Sequence, residues 1–261
     1  MKFLRWFLLL TPLILASLQC SQIGPPSGRR DPYREPTWSS ARRNGRSNSN
    51  SGYSRPSYSD RAGDSGDTIS LWALRRQVNL KVDLVRAGSY GRRVVRPMTP
   101  RYITIHSTQN YTAGAAQHSL ALKHGALRSG MRPGGNRIGF LIWHFTVDQS
   151  MAIQHMPMSE QGEHADFNGP GNRLSIGIEM CENRGCSWTA TMDRTAKLTA
   201  VLMKQNGIPL QNVVPHYHWP RRGKNPPNKN CPHKLMDNGC PGVKWRGFLQ
   251  RVNSYYRRID S

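Results

Sequence analysis

Residues 102–125 read YITIHSTQNYTAGAAQHSLALKHG, and their pattern decides the fold class. Tyr102 to Thr108 alternates β-branched and polar side chains with a period of two, which predicts a strand. Ala113 to His124 follows at helical spacing, with Thr112 placed as its N-cap and Gly125 as its stop. The alternation continues downstream. Gly139 to Val147 (GFLIWHFTV), Met151 to Met156 and Leu174 to Cys181 (LSIGIEMC) read as strands. Thr191 to Asn206 reads as a helix with Leu198, Val201 and Leu202 on one face and Gly207 and Pro209 past its end. Trp245, Phe248, Leu249, Val252, Tyr255, Tyr256 and Ile259 fall on one stripe, the clearest amphipathic helix in the chain, spanning 243–259. Strands alternating with helices predict an α/β domain: a central mixed β-sheet flanked by helices.

Upstream, Trp72 to Val85 has mixed helical spacing, and Arg96-Pro97-Met98 leads into the first strand. The folded domain is therefore placed at 71–261, a normal single-domain size. Residues 21–70 differ in kind, with 12 Ser, six Gly and five Pro, scattered Arg and no apolar period. Such a stretch cannot bury enough surface to offset its ordering entropy, so it reads as a disordered linker. Residues 1–20 combine Lys2 and Arg5 with an apolar run from Trp6 to Leu18, too short to anchor in a bilayer and matched to a signal peptide. Leu18-Gln19-Cys20 resembles a lipoprotein box, although Gln19 is larger than the residue usual there. Lipidated and cleaved soluble forms both remain open.

The chain of 261 residues carries 37 Lys+Arg against 15 Asp+Glu, a formal charge of +22. Residues 1–20 hold +2 and residues 21–70 hold +3, which leaves +17 on the domain. This balance argues against an acidic-surface cytosolic enzyme, and the lack of further long apolar runs excludes a multi-span membrane protein. A basic exported domain fits a polyanionic surface: nucleic acid, anionic lipid or acidic envelope polymers.

All nine His lie between 106 and 233. His106 shares a strand face with Tyr102 and Thr104, away from the aliphatic Ile103 and Ile105, which positions it for a site. His216, His218, Cys231 and His233 sit on a Pro-rich loop, and two neutral imidazoles with a thiolate suit Zn²⁺. Three protein ligands leave a coordination position open, as in catalytic rather than structural sites. The spacing is not that of a zinc finger.

ITIHST, GFLIWHFTVDQSMAIQHMP, EHADFNGPGNRLSIGIEMCEN and VVPHYHW with KNCPHKL, in this order over about 95–240, closely resemble the zinc-dependent N-acetylmuramoyl-L-alanine amidases of the type-2 family, whose relatives include peptidoglycan recognition proteins. The resemblance implies Zn²⁺ held by His106, His216 and Cys231, Glu179 as general base, and Lys229 stabilising the oxyanion. It also implies that Trp143 and His164 line the substrate cleft. The reaction implied is hydrolysis of the amide joining N-acetylmuramic acid to L-alanine, with peptidoglycan or muropeptides as the partner and the chain acting as a monomer. Anionic envelope polymers are further partners, nucleic acid is not expected, and membrane contact runs only through the signal or a lipid anchor. Export to the cell envelope or medium follows.

The chain departs from the family where Pro220 to Asn228 lengthens the loop between His216 and Cys231. Lys224 then competes with Lys229 for the catalytic position, and the phase to Cys231 favours Lys229. His218 is assigned to the rim or to supporting a ligand. In LSIGIEM the carboxylate of Glu179 shares a face with Ser175 and Gly177, and Gly177 leaves space beside it. Cys181 is expected either to line the site or to pair with Cys186, and Cys186 alternatively with Cys240. The alternative function is a peptidoglycan-binding module without catalysis; such relatives typically lose the Cys ligand, and Cys231 is present.

Overall fold

The computed structural model describes residues 68–129 and 138–260, all within one compact unit, Asp64–Ser261. The segments read from sequence as a signal peptide, 1–20, and as a linker, up to residue 67, lie outside the described residues. The last linker positions are built into the fold. Ile69 pairs with Ile259, with its N–H donating to the Arg258 carbonyl at 2.8 Å, and the Ser70 hydroxyl caps the first helix by accepting from Ala73 N at 3.1 Å.

In chain order the elements are α1 (Leu71–Val78), β1 (Leu80–Val82), β2 (Tyr102–Ser107), α2 (Ala115–Lys123), β3 (Phe145–Val147), β4 (Ala152–Gln154), α3 (Pro170–Leu174), β5 (Ser175–Met180), α4 (Trp188–Asn206), β6 (Val213–Pro215), β7 (Met236–Asp237), β8 (Cys240–Pro241) and α5 (Val243–Arg258). Six strands form one sheet in the order β1-β4-β3-β5-β2-β6, and β7 pairs with β8 in a small ribbon. The pairs β1/β4, β3/β5, β5/β2 and β2/β6 are parallel, and β3/β4 is antiparallel. The sheet is mixed, as the sequence predicts. Among the described residues no helix is long and apolar enough to cross a membrane.

The two faces of the sheet divide the labour. Ile103, Ile105, Ile176, Ile178, Met180, Phe145 and Val147 face one way and pack with Leu198 and Leu202 of α4 and Trp245, Phe248 and Val252 of α5. These side chains are essentially buried, and each contributes on the order of 1.5–3 kcal/mol of transfer free energy. The other face carries polar side chains because parallel neighbours in register point the same way. Tyr102 stands beside Ser175, Thr104 beside Gly177 and His106 beside Glu179. Here Trp219 Nε1–H donates to Thr104 Oγ1 (2.8 Å), Thr104 donates to Ser175 Oγ (2.7 Å), and Ser175 donates to the Gly171 carbonyl (2.6 Å). This chain of bonds satisfies the buried hydroxyls of Thr104 and Ser175.

Several boundaries differ from the sequence expectation. α2 starts at Ala115 with Gly114 as its N-cap, not Thr112. Thr112 is instead held by Asn110, whose Oδ1 accepts from Thr112 N and Oγ1, both at 2.9 Å, while Asp148 Oδ2 accepts from Ala115 N at 3.0 Å. A carboxylate from another segment thus takes the place of a local cap at the helix dipole. The GFLIWHFTV run is a sheet strand only from Phe145. Phe140 and Ile142 make single bridges to Arg128 and Glu163, because the chain bends away from the sheet before His144. α4 begins three residues earlier than predicted, at Trp188, capped by Ser187, and ends on Gly207 in the left-handed region. Trp72 to Val85 divides into α1 and β1 at Asn79, which takes φ 53°.

Candidate metal and catalytic site

Three elements converge at the carboxyl ends of β2, β5 and β6. His106 is the fifth residue of β2. His216 follows Pro215, the last residue of β6, and Pro215 pairs with Ile105. The loop after His216 returns to bring Cys231 beneath Ser107, whose N–H donates to Cys231 Sγ at 3.4 Å. The donor atoms of His106, His216 and Cys231 all lie within 4.8 Å of one another, and the three side chains are buried.

Each imidazole has its second nitrogen committed. His216 Nε2–H donates to the Ala165 carbonyl at 3.0 Å, and His106 Nε2 lies 3.0 Å from His164 Nδ1. Both Nδ1 atoms are therefore turned toward the centre and toward Cys231, the arrangement in which outer partners fix the tautomer of a metal-binding His. Burial holds His106 well below the ordinary imidazole value and takes His216 down to about 3, so both are neutral at pH 7. Burial and the nearby Glu179 push the Cys231 thiol up to about 12. A thiol so buried ionises readily only against a cation, so the donor set fits a borderline-soft divalent ion. Behind Cys231, Ser107 Oγ lies 3.4 Å from His233 Nδ1, which is 3.2 Å from the buried Glu182 Oε1.

Glu179 stands opposite His106 in the β2/β5 register, with Oε1 3.9 Å from His106 Nδ1. Burial pushes its carboxyl up to about 8, against the pull of Lys229 and with a small push from Glu182. A carboxyl group in that range sits where it can both take and return a proton near neutral pH. Lys229 is half-buried at the same cleft, and Lys224 also lines it. The charge of Lys229 acts on Glu179, His106, His216 and Cys231. The cleft, of about 290 Å³, is walled further by Trp143, His164, Glu163, Phe167 and Arg221. Trp143 is held by its Nε1–H, which donates to Thr146 Oγ1 at 2.7 Å.

All seven residues singled out from sequence thus meet in one place. Other expectations are corrected. The space beside Gly177 is filled by His164: a Cβ on Gly177 would lie 2.9 Å from that ring, and one on Gly162 would lie 2.5 Å from its other side. Cys181 does not line the cleft. It packs with Ala115 and Ile153, because the strand ends at Met180 and the chain turns under α2. Cys181 and Cys186 are free thiols, so neither disulfide considered for Cys186 forms. His218, expected at the rim or supporting a ligand, is exposed and stacks edge-on against Trp219, with ring centroids 4.6 Å apart. Sequence reasoning missed Glu163 and the Ala165 carbonyl; the latter leaves no trace in side-chain identity.

Residues 96–234 match the family described as N-acetylmuramoyl-L-alanine amidase. The chain is 39% identical over 161 residues to the N-acetylmuramoyl-L-alanine amidase CwlH of Bacillus subtilis, covering 60% of this chain and 54% of CwlH. It is 39% identical over 163 residues to XlyA of the same organism, covering 61% of this chain and 48% of XlyA. The chain thus spans about half the length of these relatives. The solved catalytic domain of XlyA superposes with a TM-score of 0.54 at 38% identity, over 67% of this chain and 99% of that domain. The catalytic domain of PlyG gives a TM-score of 0.53 at 27% identity, over 68% of this chain and 95% of that domain. The matched segment holds every donor and cleft residue named above, and the mixed sheet that carries them is the one shared with these structures. The chain belongs to the N-acetylmuramoyl-L-alanine amidase family.

Proposed function

We propose that the protein is an exported zinc amidase that cleaves the amide between N-acetylmuramic acid and L-alanine in peptidoglycan. The observation that carries this reading is the register of β2 against β5, which sets a buried carboxyl group beside a two-His, one-Cys donor set. His106, His216 and Cys231 would hold the zinc. Bound there, it would supply a Lewis acid that polarises the amide carbonyl and acidifies water.

The remaining work falls to the chain. Glu179 accepts the proton of the attacking water and returns it to the leaving amine, so that L-alanine departs as a neutral amine rather than an anion. Lys229 faces the oxyanion of the tetrahedral intermediate, a contribution on the order of a few kcal/mol in a desolvated cleft. Trp143 and His164 form the walls against which the substrate packs. The signal read in residues 1–20 delivers this domain to the envelope, where its positive charge holds it at anionic polymers with salt-sensitive affinity. The complete donor set and the carboxyl group favour this reading over a binding module without catalysis.

Digestion of purified sacculi tests the proposal. Full-length protein is expected to release muropeptides that a chelator abolishes and zinc restores, with release lost in Cys231→Ala. Binding to sacculi without release in the zinc-loaded protein would favour the module instead.

A further inference from the structure

The loop that lengthens the segment between His216 and Cys231 is an ordered part of the cleft wall. Arg221 N–H donates to the Pro227 carbonyl at 3.0 Å, Arg221 Nε–H donates to the same oxygen at 3.3 Å, and Lys224 N–H donates to the Arg221 carbonyl at 3.1 Å. Asn228 Nδ2–H ties the loop to the Tyr217 carbonyl at 2.8 Å. Held this way, Arg221, Lys224 and Lys229 all face the cleft that contains Glu179. Among the described residues, neither Arg221 nor Lys224 makes an ion pair with an acidic side chain.

The three cations are graded in depth. Lys229 is half-buried beside Glu179, Arg221 is half-buried with its charge felt at His216, and Lys224 is exposed at the mouth. Lys229 acts by its charge on Glu179, and Arg221 and Lys224 line the same cleft. Arg221 spends its Nε–H on the loop, which leaves the two terminal nitrogens of its guanidinium as a planar donor pair of the geometry that recognises a carboxylate. The muramic acid side of the scissile amide offers uncharged hydroxyl and acetamido groups. The peptide side offers free carboxylates.

We infer that Arg221 and Lys224 form a subsite for a free carboxylate on the peptide side of the scissile amide, making the protein selective for acidic stem peptides over their amidated forms. This rests on the amidase reading and extends it to substrate class. A phosphate of an envelope polymer shares the same anion chemistry, and the experiment separates the two sources.

The test is calorimetric binding to full-length, zinc-loaded Glu179→Gln protein, so that no turnover interferes. Two soluble muropeptides are compared that differ only in whether the second stem residue carries its α-carboxylate free or as a carboxamide. The free acid is expected to bind about tenfold tighter, the scale of one charge-assisted contact. Arg221→Ala is expected to erase that preference, and Lys224→Glu, at an exposed position that does not threaten folding, to erase or reverse it, each with little change in affinity for the amidated compound. Equal affinity for both compounds, a preference that survives both substitutions, or an equal loss of affinity for both compounds would overturn the subsite. Inorganic phosphate at matched ionic strength is the competing probe: displacement of the free acid at low millimolar phosphate would reassign the site to phosphate, and no displacement supports the carboxylate. Turnover by the unsubstituted protein is scored separately; failure to cleave either compound would sink the amidase reading while the binding comparison still decides the subsite.

Discussion

Nδ1 of His106 and Nδ1 of His216 lie 2.9 Å apart, each on a ring whose other nitrogen is already engaged. Two neutral imidazoles so placed share one proton at most, and a cation between them and Cys231 satisfies all three donors at once. Because the donors come from β2, from the end of β6 and from the loop beyond it, a bound ion ties together segments distant in sequence.

Metal removal is therefore expected to lower thermal stability. At zinc about 100-fold above its dissociation constant the linkage is worth about 2.7 kcal/mol, or a fall in Tm on the order of 5–10 °C on chelation for a domain of this size. Differential scanning calorimetry with and without chelator checks this, alongside metal analysis giving one zinc per chain. Cys231→Ser should bind zinc weakly and show little chelator response. An unsubstituted protein whose Tm ignores chelator would refute the assignment.

Gly177→Ala should act on His164 rather than on Glu179. The added methyl meets the His164 ring at 2.9 Å, and Gly162 closes the other side, so the ring cannot retreat without leaving His106 Nε2. Overpacking of this kind costs about 1–3 kcal/mol. Chemical denaturation should show that loss, and the His164 ring resonances should shift; unchanged stability with an unmoved ring would contradict the clamp.

Glu163 gives a pH dependence of defined sign. It is 4% exposed, and burial pushes its carboxyl from 4.5 up to about 7 despite the Arg96 guanidinium nearby. The folded state holds this proton more tightly than the unfolded chain does. The penalty is absent below about pH 4.5, grows through pH 7 and reaches at most about 3 kcal/mol. Glu163→Gln should accordingly stabilise the protein at pH 8 and not at pH 4.5 in urea melts. Equal effects at both pH values would contradict it.

His155 works in the opposite direction. Burial takes it from 6.5 to about 3, and its Nε2 lies 2.8 Å from Thr146 Oγ1 beneath Trp143. Its neutral form is favoured by folding, so stability present above pH 6.5 is lost as pH falls toward 3, because the unfolded chain takes up the proton first. His155→Gln is expected to flatten the stability profile between pH 6.5 and 4. A slope identical to that of the parent protein would count against a buried neutral His155.

What the sequence made legible were features that residue type and short period determine. Alternation in YITIHST and LSIGIEM identifies two strands and sorts Ile from His and Glu, and the structure pairs them so that His106 and Glu179 come out on one face. Motif residues His216 and Cys231 are legible because few side chains serve as metal donors. Boundaries set by distant partners were not. The start of α2 depends on Asp148 and the place of Cys181 on the packing of α2 and β4, and neither contact lies within a local window. Glu163 went unnoticed because a lone acid in a loop carries no pattern; only its burial in the cleft marks it.

The central claim is tested most directly by mass analysis of a defined muropeptide incubated in ¹⁸O-water with the zinc-loaded, full-length protein. The account predicts two products: a lactyl carboxylate on the muramic acid that has gained one ¹⁸O, and a peptide with a free N-terminal alanine. Formation should fall by about 10²–10⁴ in Glu179→Gln while that variant still binds one zinc. Cleavage at any other bond, or full activity in Glu179→Gln, would contradict it.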